Sequence, residues 1–308
     1  MVFREATVYS FNMLPRRRFL ASSIASVMTS SLWGQQPKLS YKGENIHFGL
    51  VTYMWGADWD LPTLIANCEA AEVLAVELRI EHAHAVSPSF SAAQRLEVRK
   101  RFDDSPVDVL GMGTNCEFHS SKPEVVSQQI ELAKSYIKLS HDIGGTGVKV
   151  KPNALVKDVP EAKTLEQIGK ALAELGDYAN GFGQQIRLEV HGSQTSELPR
   201  IRSIMEAASH ENVRVCWNSN DTDLIGDGLE ANFAKVQDYL GQTVHIRGVG
   251  QSLYPYETLA RLLVRADYTG HVCLEAAKLP QGDRVAALAM ERELFMALIS
   301  QARAAVQD

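Results

Sequence analysis

Glu189 and His191 stand two residues apart in the stretch Ile186-Arg187-Leu188-Glu189-Val190-His191-Gly192. The run is β-branched and apolar, and it stops at a glycine, so it reads as a buried strand. Alternation along a strand puts residues i and i+2 on one face, so a carboxylate and an imidazole lie side by side at its C-terminal tip. Burying a carboxylate is costly unless it meets a metal or a cation. The chemistry on offer is therefore proton transfer or metal ligation. A solvated strand end capped by a histidine is the plainer alternative, and Glu189 alone does not separate the two.

The same arrangement recurs at other strand tips. Val76-Glu77-Leu78-Arg79 precedes Glu81-His82-Ala83-His84. Asn115-Cys116-Glu117-Phe118-His119 follows a second run, and Val148-Lys149-Val150-Lys151-Pro152-Asn153 a third. Later come Val215-Cys216-Trp217-Asn218-Ser219-Asn220-Asp221, Val244-His245-Ile246-Arg247 and Val272-Cys273-Leu274-Glu275. Each has a dull explanation taken singly. Arg79 can pair with Glu77, Lys149 can line a barrel or face a helix, and His84 and His119 can sit in water. Together they place polar side chains on one rim.

The elements that must carry this rim alternate strand and helix. Strand-like runs begin near Ile46, Val73, Val107, Gly147, Ile186, Val213, Val244 and His271. Helical patterns cover Leu61–Ala71, Ala92–Arg101, Pro123–His141, Leu165–Ala179, Leu198–Ala208, Leu229–Leu240, Tyr256–Ala266 and about Gly282–Ala304. The repeat predicts an α/β fold, a single (β/α)8 barrel, whose chemistry belongs at the C-terminal ends of its strands. An open doubly wound sheet is the competitor, but no GxGxxG follows the first strand.

The 308 residues carry a net charge of −6, which disfavours nucleic acid as a partner. The four cysteines form no CxxC pair, so neither a disulfide framework nor a structural zinc is expected. Ahead of the barrel, Pro15-Arg16-Arg17-Arg18-Phe19-Leu20 and the short apolar run Ala21–Met28 have the anatomy of an export signal. Arg16-Arg17-x-Phe19-Leu20 resembles a twin-arginine signal, which implies delivery of a folded protein to the periplasm or cell envelope. The run is too short and too rich in serine for a stable membrane span. Residues 1–36 are thus expected to be a targeting segment, and residues 40–308 the barrel.

Leu188-Glu189-Val190-His191, the polar close of the sixth strand, Val244-His245-Ile246-Arg247 and Cys273-Leu274-Glu275 resemble the xylose-isomerase-like barrel superfamily, and within it the sugar phosphate isomerase/epimerase group. The resemblance spans about residues 45 to 305. It implies one divalent cation (Mn²⁺, Mg²⁺ or Co²⁺) held by Glu189, Asn218, His245 and Glu275. It implies Glu189 and Glu275 as the acid–base pair that moves a proton beside a carbonyl through a metal-stabilised enediolate, giving isomerisation or epimerisation. The departure is Asn218, where the group usually has Asp; the amide oxygen can ligate but brings no charge, and Asp221 or Asp223 could instead reach the metal. Asp221, His191, Lys151, Arg247 and Glu117 are the expected substrate contacts. Trp55 and Trp217 could stack on a sugar, although core packing is the commoner role. The expected partner is a small-molecule sugar, and a homo-oligomer is allowed. Two other readings compete: a carbohydrate-binding barrel of the envelope without catalysis, and a three-zinc phosphodiesterase similar to endonuclease four.

Overall fold

The computed structural model describes residues 41–250 and 252–307, so the expected targeting segment lies outside the described residues. Eight parallel strands run β1 (Ile46–Val51), β2 (Ala75–Arg79), β3 (Asp108–Glu117), β4 (Gly147–Lys151), β5 (Gln185–Glu189), β6 (Val213–Cys216), β7 (Thr243–Ile246) and β8 (Gly270–Leu274). Their order is β6-β5-β4-β3-β2-β1-β8-β7. The remaining gap between β6 and β7 is bridged at Val215–Leu240 and Asn218–His245. The His245 amide donates to the Trp217 carbonyl at 2.7 Å across that seam. This is the expected (β/α)8 barrel.

Local sequence explains the connecting helices. Asp60 caps α2 (Leu61–Ala70) by accepting from the Thr63 amide at 2.9 Å. Ser91 and Gln94 form a capping box at α3 (Ala92–Asp103). Pro123 opens α4 (Pro123–Asp142) at a position where its missing N–H costs nothing. The series continues with α5 (Glu161–Asn180), α6 (Leu198–Ala208), α7 (Gly228–Ala234), α8 (Tyr256–Arg265) and α9 (Arg284–Gln307), after the short α1 (Tyr53–Gly56) behind β1. The helix expected over Leu229–Leu240 instead ends at Ala234, and a 3₁₀ turn takes over Gln237–Tyr239. The amides of Lys235 and Val236 bond three residues back, to Asn232 and Phe233, and Val236 turns into the core.

Strand alternation divides the molecule into two environments. Phe48, Leu50, Val76, Leu78, Val148, Val150, Ile186, Leu188, Val244, Ile246, Val272 and Leu274 join the main hydrophobic core with the helices. Each such side chain contributes roughly 1.5–3 kcal/mol on burial. The opposite strand face has only a small apolar cluster of Val51, Ala75, Leu110 and Cys273. The rest of that interior is polar: Glu77, Lys149, Arg187, Glu189, Thr243 and His245 are all buried. Barrel interiors are ordinarily filled by branched apolar residues, so this lumen is unusual.

Candidate metal and acid–base centre

β5 delivers Glu189, β7 His245 and the end of β8 Glu275 to one place at the top of the lumen. One ligand atom from each lies within 4.8 Å of the others. His245 Nδ1 is 3.3 Å from Glu275 Oε2 and 3.7 Å from Glu189 Oε1, and neither ring nitrogen makes a hydrogen bond. The Glu189 side chain is 2 % exposed and that of Glu275 13 %, so Glu275 is the carboxylate nearer solvent. His245 is fully buried, deeper than a residue of an open rim.

Lys149 reaches Glu189 from β4, with Nζ 2.7 Å from Oε2, and this pair is buried too. Burial pushes the Glu189 carboxyl up, but the Lys149 ammonium and His245 outweigh it and hold it well below the usual carboxylate range. Burial likewise disfavours the Lys149 ammonium, yet Glu189 and Glu275 keep its pKa above the ordinary lysine value. Removing one member of such a buried pair typically costs ~3–5 kcal/mol, because the other is left uncompensated.

Asn218 stands on the other side of Glu189, and its Nδ2 donates to Oε1 at 3.2 Å. Asp223 does not join the group. It is buried with its carboxylate turned to the Asn220 amide at 2.9 Å and the Tyr254 hydroxyl at 2.7 Å. Asp221 is exposed at the start of the short turn Asp221–Leu224. Among the described residues the Glu189–His245–Glu275 set is the one such group. A three-zinc phosphodiesterase centre would need ligands this set does not supply.

The surrounding wall comes from β2, β3 and β4. Lys151 donates to Asn115 Oδ1 at 3.1 Å, and Arg79 Nη1 donates to the same oxygen at the same distance. Burial and the neighbouring Lys149 lower the Lys151 pKa. Glu117 accepts from Asn153 Nδ2. His191 is half-buried above Glu189, with Nδ1 unpartnered. Gly192 follows at φ +100°, and a Cβ there would lie 2.0 Å from the Asn153 carbonyl oxygen, so the loop that carries His191 requires glycine. Arg247 is exposed and donates to Asn220 Oδ1 at 3.0 Å.

Several expectations for individual residues need correction. Arg79 does not pair with Glu77; it bonds Gly113 O and Asn115. Glu77 instead points into the lumen toward His245. His84 is not in water but buried, with Nε2 2.8 Å from the Arg79 carbonyl. Trp217 packs fully buried on Phe233, and Trp55 donates to the Lys278 carbonyl at 2.6 Å, so neither indole presents a free sugar face. Lys149 and Glu77, named at strand tips but left out of the candidate site, both belong to the lumen.

No curated protein matches the sequence significantly. The fold is shared with solved structures at low identity. L-ribulose 3-epimerase superposes with TM-score 0.74 at 16 % identity, over 85 % of this chain and 97 % of that one. The 3-keto-D-glucoside 4-epimerase of E. coli gives 0.68 at 14 % identity, over 82 % and 99 %. A xylose isomerase-like barrel protein from Mycobacterium smegmatis, solved in complex with magnesium, gives 0.64 at 15 % identity, over 85 % and 99 %. A profile of the Xylose isomerase-like TIM barrel family matches residues 65–294 of the sequence. With the barrel built as described, the chain belongs to the Xylose isomerase-like TIM barrel family.

Proposed function

We propose that the protein is a divalent-metal-dependent isomerase or epimerase of a sugar or sugar derivative, acting on the C–H bond beside a carbonyl. The observation that carries the reading is the convergence of Glu189 and Glu275 on the unpartnered Nδ1 of buried His245. Two carboxylates and one imidazole suit a borderline or hard dication, with Asn218 Oδ1 as a fourth donor if its amide is turned over. The epimerase activities and the magnesium in the printed descriptions of the structural relatives point the same way.

A cation bound there supplies Lewis-acid polarisation of the substrate's carbonyl oxygen. The chain's own residues do the rest. Glu189 and Glu275 come from strands five and eight, so they approach a substrate from different sides. One carboxylate takes the proton next to the carbonyl, and the other returns one to the resulting enediolate. Return to the neighbouring carbon isomerises, and return to the opposite face epimerises. Lys149 holds Glu189 ionised and in place. His191, Lys151 and Arg247 offer donors for hydroxyl or acidic groups of the substrate, and Glu117 and the exposed Asp221 offer acceptors.

The test is direct. Protein stripped with chelator and reloaded with Mn²⁺, Mg²⁺ or Co²⁺ should hold one ion per chain and interconvert ketose epimers only when loaded. Cation-independent sugar binding with no conversion of any ketose or aldose would replace this reading by the carbohydrate-binding barrel.

A further inference from the structure

Glu77 is a third carboxylate in the lumen, on β2, and it is fully buried. Neither of its oxygens accepts a hydrogen bond. An ionised carboxylate without a donor is among the costliest groups a core can hold. Against burial, which pushes the Glu77 carboxyl up, His245, Lys149 and the fully buried Arg187 nearby hold it below its usual range, but Arg187 gives it no hydrogen bond. Its guanidinium donates to the Leu110 carbonyl at 2.9 Å, Thr146 Oγ1 at 2.6 Å and the side chain of Gln242 at 2.9 Å. Lys149 is committed to Glu189. What faces Glu77 is His245, whose Nε2 lies 3.5 Å from Glu77 Oε2 across the barrel from β7.

The ring of His245 is therefore sandwiched edge to edge. Nδ1 looks at Glu189 and Glu275, and Nε2 looks at Glu77. A histidine that gives one nitrogen's lone pair to a cation keeps its proton on the other, and that N–H needs an acceptor to fix the ring. The other polar atom beside the ring is the Cys216 sulfur, whose thiol burial keeps protonated, a weak acceptor already met by the Thr243 hydroxyl at 3.7 Å. Space for the carboxylate is provided by β3: a Cβ on Gly113 would lie 2.7 Å from Glu77 Oε1.

We propose that Glu77 is a positioning residue of the cation centre: when a cation is held by Nδ1 with Glu189 and Glu275, Glu77 is the acceptor that the His245 Nε2–H closes onto across the lumen, fixing the ring. The assignment rests on the proposed metal-dependent function. It adds a third carboxylate–histidine contact, behind the ring, to a centre whose Asn218 brings no charge.

Three measurements on the full chain test it: Mn²⁺ affinity by titration, ¹⁵N shifts of the His245 ring in Mg²⁺-loaded protein, and melting temperature without added metal. Glu77→Gln should weaken Mn²⁺ binding by about 10- to 100-fold, the usual loss for a partner behind a metal ligand. The loaded wild-type ring should show one tautomer, protonated at Nε2, and the variant a mixture. The melting temperature without added metal confirms that the variant is folded. Gly113→Ala, which displaces the same carboxylate without changing charge, should weaken Mn²⁺ in the same direction and stands in if Glu77→Gln does not fold. Wild-type Mn²⁺ affinity and a single Nε2-protonated ring in the folded variants would make Glu77 a merely structural residue and overturn the inference alone. A wild-type protein that binds no divalent cation would overturn it together with the proposed function.

Discussion

Asn218 sits where a further carboxylate would crowd Glu189, and its amide repays Glu189 Oε1 with a hydrogen bond. Asn218→Asp should reverse two quantities at once. Without metal, two carboxylates would face each other in a buried site, and stability should fall by ~1–3 kcal/mol. With metal, the extra charge should tighten divalent-cation binding roughly tenfold. Thermal melts with and without Mn²⁺ read both, and a variant that binds Mn²⁺ more weakly would mean that Asn218 serves Glu189 alone. Glu189 drew notice as a carboxylate inside an apolar run, whereas His245 and Glu275 were singled out through the family resemblance, and the fold brings the three together. Glu77 and Lys149 were not legible as site residues. In Val-Glu-Leu-Arg and Val-Lys-Val-Lys the carboxylate could pair with Arg79 and the lysine could line a barrel or face a helix, and only closure of the sheet brings both into one interior.

At the scale of elements, the eight strand starts could be placed within two residues because turns with glycine or aspartate precede several of them. The region after β6 was harder. Its helix is cut short by bonds to residues three back, which no periodicity of apolar residues announces. That same region buries Asp223 behind the rim. Burial pushes the Asp223 carboxyl up to about 7, against the lowering effect of the Asn220 amide and the Tyr254 hydroxyl. Its pKa in the unfolded chain is ~3.9, so the folded state holds the proton more tightly. The stabilising contribution of that proton is complete below about pH 4 and is lost as pH rises toward 7. Metal-free wild type should therefore lose on the order of a few kcal/mol across pH 4–7 that Asp223→Asn keeps. Urea melts of both proteins across this range give the difference; parallel curves would mean that Asp223 is ionised in the fold.

For the molecule as a whole, the interior departs from the usual barrel more than the surface does. A net charge of −6 on 308 residues is unremarkable, whereas the lumen holds Glu77, Lys149, Arg187, Glu189 and His245 together under buried conditions. Such a core is retained at a cost in stability where chemistry requires it. We also propose export by the twin-arginine route, which would carry the barrel across the membrane already folded. Lysine at both Arg16 and Arg17 should leave the protein in the cytoplasm in a fractionation experiment, and normal export would exclude this route. The central claim, that Glu189 and Glu275 move a proton beside a carbonyl, is tested by hydrogen exchange. Loaded protein is incubated in D₂O with candidate ketoses and aldoses, and deuterium entering the carbon next to the carbonyl is followed by NMR. Wild type should exchange that position, and Glu189→Gln and Glu275→Gln, which keep shape and an oxygen but lose the base, should each slow it by ~10²–10⁴-fold. Exchange at the wild-type rate in both variants, or in no sugar with wild type, would contradict the account.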